Sequence, residues 1–172
     1  MVISRNAVLP DVAPIHAIIQ PYAEKGILLP RSKPELCENI RDFMVAELDG
    51  KIVGCGALHL YGMHLAEIRT IAVPPESKGL GAGRLLTEAL LAEAQRHHVT
   101  CVCLFTRVPD FFHHMGFTIA LREELPDKIY KDCIHCPYLN NCDEIAMVRG
   151  KLPDKTEHRD DQISIPLVRL TA

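Results

Sequence analysis

The spacing of apolar and polar residues predicts a series of short strands and helices. The opening stretch "VISRNAV" has the pattern of a strand, and the apolar residues after Asp11 recur at the spacing of a helix. We expect a second, short helix from Pro34 to Phe43. Two strand-like runs in "MVAELDGKIVGCGALHLY" are joined by an Asp-Gly pair, which accepts the positive φ angles of a tight hairpin turn. Because the strand "LAEIRTIAV" follows closely, this part is predicted to be an antiparallel meander.

The second half of the chain continues this alternation. Residues Arg84 to His98 carry an apolar stripe and predict a helix. The run "TCVCLFT" is apolar throughout, which is typical of a strand that is covered on both faces. A short helix from Phe111 to Met115 and two strands, "FTIALRE" and "EIAMVRGKL", complete the predicted order β-α-α-β-β-β-α-β-α-β-β.

Composition places the chain among ordinary folded proteins. Its 172 residues, 48% of them apolar and 24% charged, suffice for one domain with a core. The net charge is −3 with scattered Lys and Arg, and no apolar run approaches the roughly 18 residues of a membrane span. We therefore expect a cytoplasmic protein without a nucleic-acid or membrane partner. We assign the domain to residues 1–151, and residues 152–172 to a charged linker followed by a tail or an added edge strand.

Three glycines, Gly79, Gly81 and Gly83, lie where the strand "EIRTIAV" gives way to a helix. A helix that begins after a glycine-rich loop presents unpaired backbone N–H groups at its positive end, and glycine lets a ligand approach closely. This arrangement favours a phosphate cradle over a merely flexible loop. It is not a Walker loop, which needs Gly-Lys followed by Ser or Thr, and the preceding meander does not suit a dinucleotide-binding turn.

The loop resembles the acyl-CoA loop of the GNAT superfamily of N-acetyltransferases, whose pattern is Arg or Gln, two residues, Gly, one residue, then Gly or Ala. The departure is Lys78, which keeps a cation but lacks the planar fork of arginine. The strand "EIRTIAV" resembles the fourth strand of that fold, and "FFHHMGF" resembles the aromatic element behind the cofactor thiol. The resemblance implies an α/β fold of the α+β kind, with a mixed, mostly antiparallel sheet, helices on both faces and strands splayed at the acetyl-CoA site.

The same resemblance implies acetyl-CoA as co-substrate and indicates which residues bind it. Ile71 to Val73 would pair their backbone with the pantetheine arm, and Phe112 would lie behind the thiol. The backbone N–H of Ala72 or Val73 would donate to the oxygen of the attacked carbonyl. The predicted cofactor-binding residues are Ile71, Ala72, Val73, Lys78, Gly79, Leu80, Gly81, Ala82, Gly83, Arg84 and Phe112.

A narrower resemblance covers "GILLPRS", "LAEIRTIAV" and "LPDKIYKDCIHCPYLNNCDEIAMV", which are similar to the short, stand-alone N-acetylglutamate synthases of bacterial arginine biosynthesis. It implies acetylation of L-glutamate at its α-amine by direct attack on the thioester. An amino acid arrives as an ammonium ion, which must lose a proton before it can attack. Glu67 matches the general-base position of many GNAT enzymes and is the predicted base, acting directly or through a water. Phe112 has no hydroxyl for the departing thiolate, and we name no other acid.

The two carboxylates of glutamate require cations. Arg31 matches the arginine of the "Arg-Ser" element and is predicted to bind the α-carboxylate. Lys33, Arg69 and Arg107 are the candidates for the side-chain carboxylate, and each of these four could instead be a solvated surface charge.

Several alternatives remain open. Cys133, Cys136 and Cys142 form a partial zinc pattern that lacks a fourth ligand, so we expect no metal. The acceptor could be another amine, such as glutamine, another amino acid or a protein N-terminus. The chain could also be a non-catalytic acetyl-CoA-binding module. A homodimer is possible.

Overall fold

The computed structural model describes residues 1–152, except for the side chains of Pro126, Asp127 and Tyr130. Seven strands form one sheet: β1 (Ile3–Asn6), β2 (Phe43–Leu48), β3 (Lys51–Leu60), β4 (Leu65–Ala72), β5 (Cys101–Thr106), β6 (Thr118–Ile119) and β7 (Ile145–Gly150). Their order is β1-β2-β3-β4-β5-β7-β6. The pair β4 and β5 is parallel and the other neighbours are antiparallel, so the predicted mixed sheet is confirmed.

Helices cover both faces of the sheet, as predicted. The helices are α1 (Val12–Glu24), α2 (Lys33–Glu38), α3 (Ala82–Arg96), α4 (Pro109–His113) and α5 (Pro126–Lys131). Successive strand residues point to opposite faces, and Val45 packs into the cluster of Ile15 and Leu36 from α1 and α2, while Ala46 packs against Leu86 of α3. None of the helices within residues 1–152 has the length and apolar character needed to cross a membrane.

The sheet separates between β4 and β5. The two strands pair only from Leu65↔Cys101 to Glu67↔Cys103, after which β5 continues along β7 and β4 continues along β3. A bulge in β4 places Thr70 and Ile71 opposite the single residue Gly56. Thr70 has a φ of 56°, a strained value for a β-branched residue. The predicted splay is therefore present, and it leaves a cleft beyond Glu67.

Some predicted boundaries were wrong. The second helix ends at Glu38 rather than Phe43, because Phe43 is buried and pairs with Ala57 as the first residue of β2. The strand expected over "FTIALRE" is reduced to the two residues of β6, since a 3₁₀ turn follows in which the N–H of Leu121 donates to Glu124. Helix α5 was not predicted. The predicted linker and tail lie outside the described residues, apart from residue 152.

Candidate active site

The glycine loop has the backbone shape that its sequence predicts. Gly79 and Gly81 have φ values of 84° and 78°, in the left-handed region that favours glycine. Gly81 caps α3, so the first N–H groups of this helix have no partner within the helix. A Cβ atom added at Gly79 or Gly81 would meet nothing within 4 Å, whereas one at Gly83 would lie 3.6 Å from the Phe111 ring. The loop is therefore open on the side where a ligand can approach.

This loop fits the pyrophosphate of acetyl-CoA. Free N–H groups at the positive end of α3 are the donors that a diphosphate needs, and the open space lets it approach them. Lys78, Leu80 and Arg84 are exposed around the loop, and Arg84 is bonded to Glu88 at 2.9 Å. Ala82 is buried against Leu86, so only its backbone faces the loop. The individual contacts of these residues with the cofactor stay predictions.

The predicted aromatic and strand contacts lie on either side of this loop. Ile71 is part of the bulge, Ala72 follows it, and the carbonyl of Val73 accepts a bond from Tyr22 at 2.6 Å. Phe112 is 3% exposed and packs edge-on against Phe117 in the core. The exposed surface of Phe112 is too small for more than an edge contact with a ligand.

A cleft of about 140 Å³ opens where β4 leaves β5. The loop between α1 and α2, the residues of β4 after the splay, and α5 with the segment that follows it form its walls. Glu67 is 3% exposed and lines this cleft. Its carboxylate accepts hydrogen bonds from the Tyr61 hydroxyl at 2.8 Å and from the Lys128 ammonium, also at 2.8 Å. The predicted base is thus a buried, ion-paired carboxylate.

A charged network extends from Glu67 to Asp132. The Tyr61 hydroxyl lies within hydrogen-bonding distance of both Asp132 and Glu67, and its one proton is donated to one of these carboxylates at a time. Lys128 lies 3.3 Å from Asp132. Arg69 is 3.6 Å from the Asp132 carboxylate and 3.0 Å from the Nδ1 atom of His59. The carboxylates of the network are therefore matched by cations and by one hydroxyl donor.

The network also determines which groups are charged. Burial, together with the charge of Glu67, raises the pKa of Tyr61 far above its usual range, so Tyr61 stays a donor. Burial would lower the pKa of Lys128, but the carboxylates of Glu67 and Asp132 outweigh it and raise that pKa. Burial would raise the pKa of Asp132, yet the bond from Tyr61 and the charge of Lys128 hold it below its usual range.

The predicted substrate-binding cations have different placements. Arg31, Arg69 and Arg107 line the cleft, whereas Lys33 is exposed at the start of α2 and does not. The Arg31 side chain is 21% exposed and pairs with Glu35 of the next turn. Arg107 donates to the Ile27 carbonyl at 2.9 Å and also to Asp143 at 2.8 Å, so it ties together two segments that flank the cleft.

Sequence reasoning missed several cleft or network residues, among them Tyr61, Arg122, Lys128, Asp132 and Glu144. One signal could have indicated two of them, because Lys128 and Asp132 lie four residues apart in "LPDKIYKD", at the spacing of neighbours on a helix. A proline two positions before Lys128 is typical of a helix start.

Three cysteines, Cys133, Cys136 and Cys142, line the same cleft. Burial raises the pKa of the Cys133 thiol, which favours its neutral form. Within the part of the chain that the structure describes, no group of three His, Cys, Asp or Glu side chains is arranged to hold a metal ion. That the protein works without a metal stays a prediction.

Comparisons with known proteins identify the family of the chain. The model of the acetyltransferase (GNAT) domain matches residues 39–119. A Chlorobaculum tepidum protein named uncharacterized N-acetyltransferase is 43% identical over 145 residues, which are 84% of this chain and 94% of that protein. An amino-acid acetyltransferase of Mycobacterium tuberculosis is 41% identical over 117 residues, 66% of this chain and 67% of that relative.

Solved structures give the same result. The N-acetylglutamate synthase of Neisseria gonorrhoeae, complexed with coenzyme A and N-acetyl-glutamate, has a TM-score of 0.79 and 30% identity. The match covers 90% of this chain but only 36% of the synthase. A Mycobacterium tuberculosis protein in complex with CoA has a TM-score of 0.75 and 31% identity, over 87% of this chain and 99% of that one. The chain therefore belongs to the GNAT family of N-acetyltransferases, and acetyl-CoA is its co-substrate.

Proposed function

We propose that this enzyme transfers an acetyl group from acetyl-CoA to the α-amine of L-glutamate, the first step of arginine biosynthesis. The observation that carries the proposal is the composition of the cleft, in which a buried carboxylate, Glu67, shares the lining with four cations, Arg31, Arg69, Arg107 and Lys128. Cations in a partly desolvated cleft favour an acceptor with two carboxylates over a neutral amine. The similarity to amino-acid acetyltransferases supports the same acceptor class.

Acetyl-CoA supplies an activated acetyl thioester, and the residues of the chain prepare the amine that attacks it. Glu67 lies where β4 and β5 part, beside the bulge that opens the pantetheine path. Its carboxylate takes a proton from the substrate ammonium, directly or through a water, so that the amine gains the lone pair needed for attack. The bond from Tyr61 fixes the orientation of this carboxylate.

Recognition of the acceptor is divided between its two carboxylates. Arg31 binds the α-carboxylate with its planar guanidinium, exchanging its present partner Glu35 for the substrate. Arg69 faces the same cleft near the network and assists in balancing the charge of the acceptor. Lys33 is a weaker candidate than its sequence position indicated, because it lies outside the cleft. The small size of the cleft favours a free amino acid over a protein N-terminus.

The proposal is tested by measuring CoA release with purified protein, acetyl-CoA and a panel of amino acids, with the product identified by mass spectrometry. Glutamate should give the highest kcat/KM, and aspartate and glutamine should be turned over more slowly. A preferred amine without a second carboxylate would replace glutamate as the substrate. CoA binding without turnover of any amine would indicate a non-catalytic module. Growth of an arginine auxotroph that lacks its own N-acetylglutamate synthase tests the cytoplasmic biosynthetic role.

A further inference from the structure

Lys128 is the cleft cation that, among the described residues, bonds directly to Glu67. Its ammonium lies 2.8 Å and 3.1 Å from the two carboxylate oxygens, and 3.3 Å from Asp132. The Lys128 side chain is only 14% exposed, so solvent screens this pair weakly. Lys128 belongs to α5, whereas Glu67 belongs to β4, so the contact depends on the fold rather than on neighbouring sequence.

This contact restrains the chemistry of Glu67. A carboxylate that is paired with an ammonium ion is a weak proton acceptor, because protonation would leave the buried ammonium without that partner. Glu67 can therefore take the substrate proton readily only when another anion holds Lys128. Asp132 cannot fully replace Glu67, since it already has bonds or ion pairs with Tyr61 and Arg69.

Two other arginines of the cleft, Arg107 and Arg122, are less suited to exchanging partners. Arg107 is held by the Ile27 carbonyl and by Asp143, and Arg122 is held by the carbonyls of Cys142 and Glu144. Both therefore support the walls of the cleft. The ammonium of a lysine is a point charge on a flexible stem and needs no fixed geometry to change partner.

We propose that Lys128 determines specificity: it leaves Glu67 for the side-chain carboxylate of an acidic acceptor, so that Glu67 becomes an effective base only when such an acceptor is bound. This inference rests on the proposed function. The preference for an acidic acceptor should then appear in kcat as well as in binding, because a neutral acceptor leaves the ion pair of Glu67 and Lys128 intact. The side-chain carboxylate of the substrate thereby frees Glu67 to act as the base for the substrate's own amine.

Few of the groups around this ion pair could replace Glu67 as the partner of Lys128. Burial raises the pKa of the Cys103 and Cys133 thiols, which favours their neutral forms, and Tyr61 is likewise kept protonated. Glu144 is already paired with Arg107 at 3.5 Å. The titratable or charged groups that face Lys128 and Glu67 are Tyr61, Arg69, Cys103, Asp132, Cys133 and Glu144. A substrate carboxylate is consequently the strongest new partner for Lys128.

Lys128→Met tests the inference through the ratio of glutamate to glutamine turnover. We expect kcat/KM for glutamate to fall about 100-fold and that for glutamine to change less than about threefold, so that the preference for the acid is lost. Lys128→Arg should restore part of the preference. Lys51→Met, at the exposed start of β3, is the matched control and should leave the ratio unchanged.

Glutamate affinity gives a second test, which a loss of activity through misfolding of Lys128→Met cannot imitate. Glu67→Gln frees the ammonium and should bind glutamate more tightly than wild type, and adding Lys128→Met to it should abolish that gain while removing both charges of the pair. An unchanged glutamate-to-glutamine ratio in Lys128→Met, or equal glutamate affinity in the single and double variants, would make Lys128 a structural counterion and overturn the inference. If wild type turns over no acidic amino acid, the proposed function itself fails, whatever the variants do.

Discussion

The proposed cofactor side and the proposed acceptor side of the site are constructed differently. The proposed cofactor side is a continuous stretch, residues 71–84, whose predicted contacts are made by its backbone and its glycines. The acceptor side is assembled from distant side chains, with Glu67 and Lys128 61 positions apart and Tyr61 and Asp132 71 positions apart. One half of the site therefore depends on local conformation, and the other depends on the whole fold bringing charges together.

This difference has an energetic consequence. Backbone donors at a helix terminus carry partial charges and can be left facing solvent at low cost. Buried ions such as Glu67 and Lys128 are costly to separate, because each loses its partner in a place that water reaches poorly. Substitutions on the acceptor side should consequently change rates and specificity strongly, whereas those on the cofactor side should mainly change affinity for CoA.

The largest effect is expected at the base. Glu67→Gln should lower kcat at least about 100-fold, with a smaller change in KM, because the amide cannot accept the proton. The acidic limb of the pH–rate profile should disappear, while CoA affinity measured by calorimetry stays the same. Glu24→Gln, at the exposed end of α1, is the control. A normal kcat with the acidic limb retained would show that another group is the base.

The next effect concerns recognition of the α-carboxylate. Arg31→Ala should lower kcat/KM for glutamate by roughly 30-fold to 1000-fold, because a substrate carboxylate would lose a charged, two-pronged contact. Arg31→Lys should recover only part of this loss. Arg41→Ala, an exposed arginine nearby in the chain, serves as the comparison in the same steady-state assay. Undiminished glutamate turnover in Arg31→Ala would make Arg31 a surface charge.

The proposed cofactor loop is tested by a substitution that disfavours its backbone conformation. Gly81→Val should weaken CoA binding at least about tenfold, because a β-branched residue resists the left-handed conformation that shapes the loop. Gly50→Val is a close control, since Gly50 has the same φ of 78° and equally open surroundings but lies in the β2–β3 turn. Calorimetry should show normal CoA affinity for Gly50→Val. Equal affinities in the two variants would contradict the assignment of the loop.

A smaller effect, on the free energy of unfolding, is expected for an ion pair that is remote from both the cofactor loop and the acceptor residues. Asp11 is buried, accepts two bonds from Arg5 at 2.6 Å and 3.0 Å, and these bonds hold its pKa below the usual range. A lowered pKa stabilises the fold above the unfolded value of about 4, and this contribution disappears as pH falls below it. Asp11→Asn should therefore lower the free energy of unfolding by about 1 to 3 kcal/mol at pH 7.

Urea denaturation at two pH values checks this expectation. The difference between Asp11→Asn and wild type should shrink towards zero at pH values well below 4, where the wild-type carboxyl is also protonated. Asp49→Asn, in the exposed turn with a φ of 50°, should be neutral because asparagine also adopts this conformation. A difference that does not depend on pH would point to lost packing instead of a lost charge.

The same contrast explains what the sequence could predict. The glycine loop, the splay after Glu67 and the order of the predicted strands and helices follow from local spacing and from resemblance, and the structure contains them. The spacing of Lys128 and Asp132 could have indicated a helical pair, but no local pattern relates them to Tyr61 and Glu67, because only the folded sheet and α5 bring these residues together. The end of β6 was misplaced and helix α5 was missed, because turns and capping bonds, which local patterns specify weakly, decide where such elements begin and end.

A crystal structure with CoA and N-acetylglutamate bound tests the proposed cofactor loop and the proposed acceptor residues at once. We expect the diphosphate on the backbone N–H groups of residues 79–83, the α-carboxylate on Arg31 and the side-chain carboxylate on Lys128. The acetamide nitrogen should lie beside Glu67, with the bond from Lys128 to Glu67 broken. A product whose carboxylates lie away from Arg31 and Lys128, with Glu67 still paired to Lys128, would contradict this arrangement.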